Sequence, residues 1–180
     1  MTSREADMLK HTIVLVLLVP LLGMISGCGD DGGDAPVNVP ETSEMTVSLV
    51  EVEGCKTFTR GEAGSDRSCV QYTYDPAQRT LRMLHVNAGF NCCPEEFGMD
   101  VHLDGDVITI TESEVGPNCR CNCLYDLDIL IEHVPAAIYR VVFEEPYRSE
   151  KEEAIDFRID LTAETAGEHC VPRSMYPWGM

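Results

Sequence analysis

Apolar and polar residues alternate along most of the chain from Met45 onward, and a period of two predicts strands. Val47 and Leu49, then Val50 and Val52, mark a first strand. Val70, Tyr72 and Tyr74 line one face of a second, and Leu81, Met83 and His85 alternate in a third. Asp75-Pro76-Ala77-Gln78 between them is a turn, with Pro where a type I turn takes it. Val101-His102-Leu103, Asp104-Gly105 and Val107 to Thr111 predict a hairpin about a two-residue turn. Tyr125, Leu127, Ile129 and Ile131 alternate with Asp126, Asp128 and Glu132. After Pro135 the pattern resumes at Tyr139, Val141 and Phe143, and Ile155, Phe157, Ile159 and Leu161 close it. Residues 149–153 suit one helical turn at most; there is no long amphipathic helix, internal repeat or heptad. Seven or eight short strands divided by turns predict an all-β fold, an antiparallel, Ig-like β-sandwich stabilised by disulfides.

The first 44 residues follow a different logic. Lys10-His11 precede an uncharged run that holds Ile13-Val14-Leu15-Val16-Leu17-Leu18-Val19 and Leu21-Leu22. A basic start, a short apolar stretch and small residues before a cut site describe a signal peptide, and Met8 would give it a more usual start than Met1. Pro20 and Gly23 interrupt the run, which is short for a membrane span of about 20 residues. Ile25-Ser26-Gly27-Cys28 resembles the lipobox of bacterial lipoproteins. The resemblance implies cleavage before Cys28, a diacylglycerol thioether on that cysteine and N-acylation. Each buried methylene contributes roughly 0.8 kcal/mol, so two or three acyl chains hold a protein on a membrane essentially permanently. Gly29 follows the cysteine; in the Gram-negative sorting rule that comes with the resemblance, Asp there retains a lipoprotein in the inner membrane. Gly29 therefore implies the outer membrane, where the organism has one. Residues 30–44 are rich in Gly, Pro and acid without an apolar period, as in a flexible tether. The expected organisation is a signal peptide over 1–27, an acidic tether over 28–44 and a β-sandwich over 45–180.

Thirteen Lys and Arg stand against 31 Asp and Glu, a net charge of −18, and the chain from Cys28 onward keeps that value. Phosphate contacts need clustered cations, so nucleic acid is excluded as a partner. The acidic balance opposes docking on anionic headgroups; it suits solubility and would suit a cationic partner.

Eight cysteines remain beyond Cys28: Cys55, Cys69, Cys92, Cys93, Cys119, Cys121, Cys123 and Cys170. An even number in an exported chain points to a disulfide framework, with 105 possible pairings. Cys119-x-Cys121-x-Cys123 has a strand's period and shares parity with Tyr125 to Ile131. An unbroken strand would turn all three thiols inward. Strand neighbours two apart sit about 6.6 Å apart, near the upper limit for a disulfide, so bonds to another strand or loop are favoured, with Cys92-Cys93 as the obvious source. The alternative is a thiolate centre for Zn or Cu(I) built from this row and Cys92 or Cys93. Against it, the spacing lacks the Cys-x-x-Cys knuckle, and the same lack argues against thioredoxin-like exchange.

Asn91-Cys92-Cys93-Pro94, Val107 to Glu112, Cys119-x-Cys121-x-Cys123-Leu124-Tyr125-Asp126 and Pro135 to Tyr139 together resemble a set of secreted bacterial lipoproteins of uncharacterised activity. These carry a double cysteine and a Cys-x-Cys-x-Cys strand, with a Gly-x-Tyr turn before the next strand. The resemblance covers residues 85–145 and implies a fold but no chemistry; Ala137-Ile138 departs from it where a Gly-Thr-like turn is usual.

No other pattern carries chemistry. The five histidines form neither His-x-x-x-His nor His-Glu-x-x-His, and His85 and His133 read as packed on strand faces. There is no Gly-x-Ser-x-Gly elbow and no phosphate loop. Asp100, Asp104 and Asp106 read as turn residues rather than calcium ligands, and Asp126 and Asp128 as solvated. Cys170 is expected to staple the tail, letting Trp178 cover a sheet edge. The sequence thus predicts a monomeric, lipid-anchored envelope module without cofactor or catalytic residues, binding an unidentified protein or cation or serving structurally; the alternative is a metal-binding lipoprotein.

Overall fold

The computed structural model describes residues 44–56 and 64–178; the signal peptide, Cys28 and the tether lie outside them. Nine strands follow in order: β1 (Thr46–Glu53), β2 (Arg67–Asp75), β3 (Thr80–Asn91), β4 (Glu96–Asp104), β5 (Val107–Val115), β6 (Asn122–Glu132), β7 (Ile138–Glu144), β8 (Asp156–Asp160) and β9 (Ala166–Pro172). They form a five-stranded sheet in the order β1-β6-β3-β2-β9 and a four-stranded sheet in the order β4-β5-β7-β8. The fold is the disulfide-stabilised β-sandwich that the alternation predicts, with one strand more. That strand is β9, whose Gly167 and His169 give it no apolar alternation. All pairings are antiparallel except β5 with β7, which run parallel. Among the described residues no helix is long and apolar enough to cross a membrane.

The inward parities of both sheets meet in one core. Leu81 and Met83 from β3, Leu127, Ile129 and Ile131 from β6, Ile108 and Ile110 from β5, and Val141 from β7 are all fully buried in it. Each such side chain contributes roughly 1.5–3 kcal/mol relative to exposure. Two bulges adjust the parity. In β1 the register shifts between Leu49 and Glu51, so Val50 turns outward while Val47, Leu49 and Val52 pack against the core. In β3 it shifts between Val86 and Ala88. Asn87 there sits at φ +63, a conformation Asn tolerates, and its amide donates to Gly64 O and Arg67 O. Because of this bulge, His85 as well as Ala88 and Phe90 can face the interior.

Turns close as their residues require. Gly105, at φ +61, takes the first central position of the two-residue turn between Asp104 and Val107. Asp75 Oδ1 accepts from the Ala77 and Gln78 amides, and Arg79 completes the β2–β3 turn at φ +56. The tail covers β3 beyond the end of β2, where β3 has lost its neighbour. Trp178 lies over Gly89, and its Nε1 donates to Asn87 O at 2.7 Å. It thus caps a stretch of a central strand that is paired only on its β6 side, and not an edge strand of a sheet.

Candidate functional site

The eight cysteines form four disulfides: Cys55–Cys123, Cys69–Cys170, Cys92–Cys121 and Cys93–Cys119. The expected inward row does not form. Gly116, at φ +146, and Pro117 interrupt the chain, and β6 begins only at Asn122. Of the three cysteines Cys123 alone is buried, at 7% exposure; Cys121 is exposed and Cys119 half-buried. Asn91 organises the cluster. Its Oδ1 accepts from both the Cys93 and Cys119 amides, its Nδ2 donates to Cys119 O, and the Cys92 amide donates to Cys121 O. With every sulfur in this cluster bonded to another, none is a thiolate to ligate a metal. Cys69, Glu168 and Cys170 also lie close together, but those two sulfurs are bonded to each other.

The interior holds a polar layer, of which the sequence reading singled out only His85, packed on a strand face as expected. Ser68 on β2, His85 on β3, Glu112 on β5, Glu145 just after β7 and Arg173 just after β9 all point between the sheets. Ser68 Oγ lies 2.8 Å from His85 Nε2, and His85 Nδ1 lies 2.5 Å from Glu112 Oε1. Arg173 binds Glu145 through both carboxylate oxygens, at 2.8 and 2.6 Å, and also donates to Glu153 O. His85 Nε2 is 3.9 Å from Glu145. Each acidic member continues an apolar face: Ile108 and Ile110 lead to Glu112, and Val141 and Phe143 lead to Glu145. That continuation is the signal in the sequence that would have found them.

Serine, histidine and glutamate here stand in the order of a hydrolase relay. Their protonation and burial give them another role. Burial alone would push the His85 pKa down; Glu112 against Nδ1, with Glu145 beyond it, outweighs burial and Arg173 and holds it above its ordinary value. A protonated His85 donates through both nitrogens, to Glu112 and to Ser68 Oγ. The Ser68 hydroxyl is then free to donate to Val86 O, 3.4 Å away. Ser68 and His85 have no exposed surface. Glu112 and Glu145 thus face His85 and Arg173 across the sandwich, tying β3 and the end of β9 to the opposite sheet. Glu145 is itself pushed up by burial, against the pull of His85 and Arg173. Glu112 Oε2 has no hydrogen-bond partner.

A groove opens at the end of the sandwich where β1 begins. It encloses about 340 Å³ and is lined by Glu44 and Met45, by Arg79 of the β2–β3 turn, by Val101 to Leu103 of β4, and by His133 and Pro135 of the β6–β7 loop. The loop is fixed in place. Tyr74 Oη donates to Val134 O at 2.9 Å, Tyr139 Oη to Pro135 O at 3.0 Å, and the Val134 amide to Arg79 O at 2.8 Å. His133 follows β6 at φ +62 and is exposed, so it is not packed on a strand face as the alternation suggests.

The remaining candidates are surface features. Asp100, Asp104 and Asp106 are exposed around the β4–β5 hairpin. Asp126 and Asp128 are not freely solvated: Lys56 holds Asp126 at 2.6 Å, and Arg82 is paired with Asp128. No protein-family model, curated protein or solved structure matches the chain. Fold and geometry define it as a disulfide-stapled β-sandwich with a polar interior layer and an open groove at one end.

Proposed function

We propose that the chain is a lipid-anchored envelope protein whose β-sandwich is a non-enzymatic binding module. The sealed relay is the observation that carries this reading. Ser68, His85 and Glu112 have the atomic order of a nucleophile and its bases, yet they lie between two sheets, out of reach of any substrate. The anchor rests on Ile25-Ser26-Gly27-Cys28 and the acidic stretch behind it. Four disulfides fit the oxidising compartment to which such a signal leads.

Two measurements test the two halves. Cys28→Ala should move the protein from the membrane fraction to the soluble fraction and abolish fatty-acid labelling; persistent labelling would overturn the anchor. A fluorophosphonate probe should leave the folded protein unmodified, and a covalent adduct on Ser68 would overturn the non-enzymatic reading.

A further inference from the structure

Three features meet in the groove beside Arg79. Arg79 and His133 are non-glycine residues held in the left-handed region, at φ +56 and +62. Asn or Gly would serve both turns with less strain, and strained residues of this kind gather where a side chain is needed in one place. Secondly, the rim is built in advance by the Tyr74, Tyr139 and Val134 hydrogen bonds. The Arg79 charge opposes the burial that raises the pKa of both tyrosines. Thirdly, the side chains of Arg79, His102 and His133 are exposed and make no hydrogen bond or ion pair among the described residues; exposed Arg120, Lys151 and Arg158 are equally unpaired, but none of those lines the groove.

We propose that this groove is a binding site for a small organic anion, a carboxylate or phosphate on an apolar body. The planar guanidinium of Arg79 would take two anion oxygens at once, with His133 from the loop beside them. Val101, Leu103 and Pro135 offer the apolar wall, Leu103 being 39% exposed. A volume of about 340 Å³ accommodates a ligand of one ring or a short chain. In a chain of net charge −18 the site is a local exception, and Glu44 is its one carboxylate. The inference rests on the reading of the domain as a binding module and supplies that module's ligand class.

Calorimetric titration of the full chain with benzoate, phenyl phosphate and uncharged benzyl alcohol tests it. At least one of the two anions should bind, and at least tenfold more tightly than the alcohol. The stronger of the two tells carboxylate from phosphate. Arg79→Asn removes the guanidinium at a position where Asn is tolerated. It should weaken anion binding at least tenfold while leaving the melting temperature unchanged or higher, and His133→Asn, also at a left-handed position that suits Asn, should weaken it severalfold. Equal binding of alcohol and anions, or undiminished anion binding by Arg79→Asn, would overturn the site. Neither result bears on the reactivity of Ser68, so failure of the groove and failure of the non-enzymatic reading remain distinguishable.

Discussion

His85 shows how one side chain takes its role from what surrounds it. Burial alone would push its pKa down; Glu112 on Nδ1 and Glu145 beyond raise it above the ordinary value, against burial and Arg173. The proton stabilises the folded state, and the sign is fixed by the raised pKa. The stabilisation is complete below about pH 6.5, the ordinary histidine value, and is lost as pH rises through the higher folded value, at up to about 1.4 kcal/mol per pH unit. Thermal melts from pH 6 to 9 should therefore show a falling melting temperature that His85→Gln lacks. A parent protein with a flat profile would show that His85 is neutral in the fold. Removing a cation outright is harsher: Arg173→Met strands Glu145 and should cost about 3–5 kcal/mol. Little of this layer was legible in the sequence. The parity of Glu112 and Glu145 was there to be read, but an acid that ends an apolar alternation looks like the edge of a strand. Only the tertiary arrangement shows that Ser68 and Arg173 face it.

Strands were far more legible than their partners. Alternation located eight of nine, and even the break between Leu49 and Val50 survives in the structure as a bulge. What alternation could not give is pairing. Nothing local to β5 or β7 announces that they run parallel, and nothing in β9 marks it as a strand except Cys170, set directly opposite Cys69. The same limit applies to the cysteine row, whose period of two implied a strand that Gly116 and Pro117 do not allow. Its connection to Cys92 and Cys93 was nonetheless open to inference, because sulfurs along one strand sit too far apart to bond easily. The Cys92–Cys121 bridge closes a loop with a sequence separation of 29, worth about 3–4 kcal/mol in the chain-entropy treatment. Cys121→Ser should lower unfolding free energy by about that amount in denaturant titration. It should also free Cys92 to form dimers visible on a non-reducing gel. Unchanged stability in that variant would mean that the neighbouring Cys93–Cys119 bridge already holds the loop.

For the molecule as a whole, the groove and the disulfide cluster lie on different elements of one sandwich. The chain carries a net charge of −18. The pairing of its cysteines imposes a schedule as well as a shape. Every bridge joins one of the first four cysteines of the domain (Cys55, Cys69, Cys92, Cys93) to one of the last four. A chain that crosses a membrane N-terminus first delivers four thiols before a single rightful partner has emerged. An oxidase working on that emerging half can make only mismatched bonds, and each must later be undone by thiolate attack. Correct maturation should therefore depend on a disulfide isomerase. In an oxidising envelope without one, peptide mapping should find bridges among Cys55, Cys69, Cys92 and Cys93 that disappear when the isomerase is restored. Identical maps from both hosts would mean that the chain stays reduced until Cys170 arrives, and that the last strand, not the first, starts the clock on oxidation.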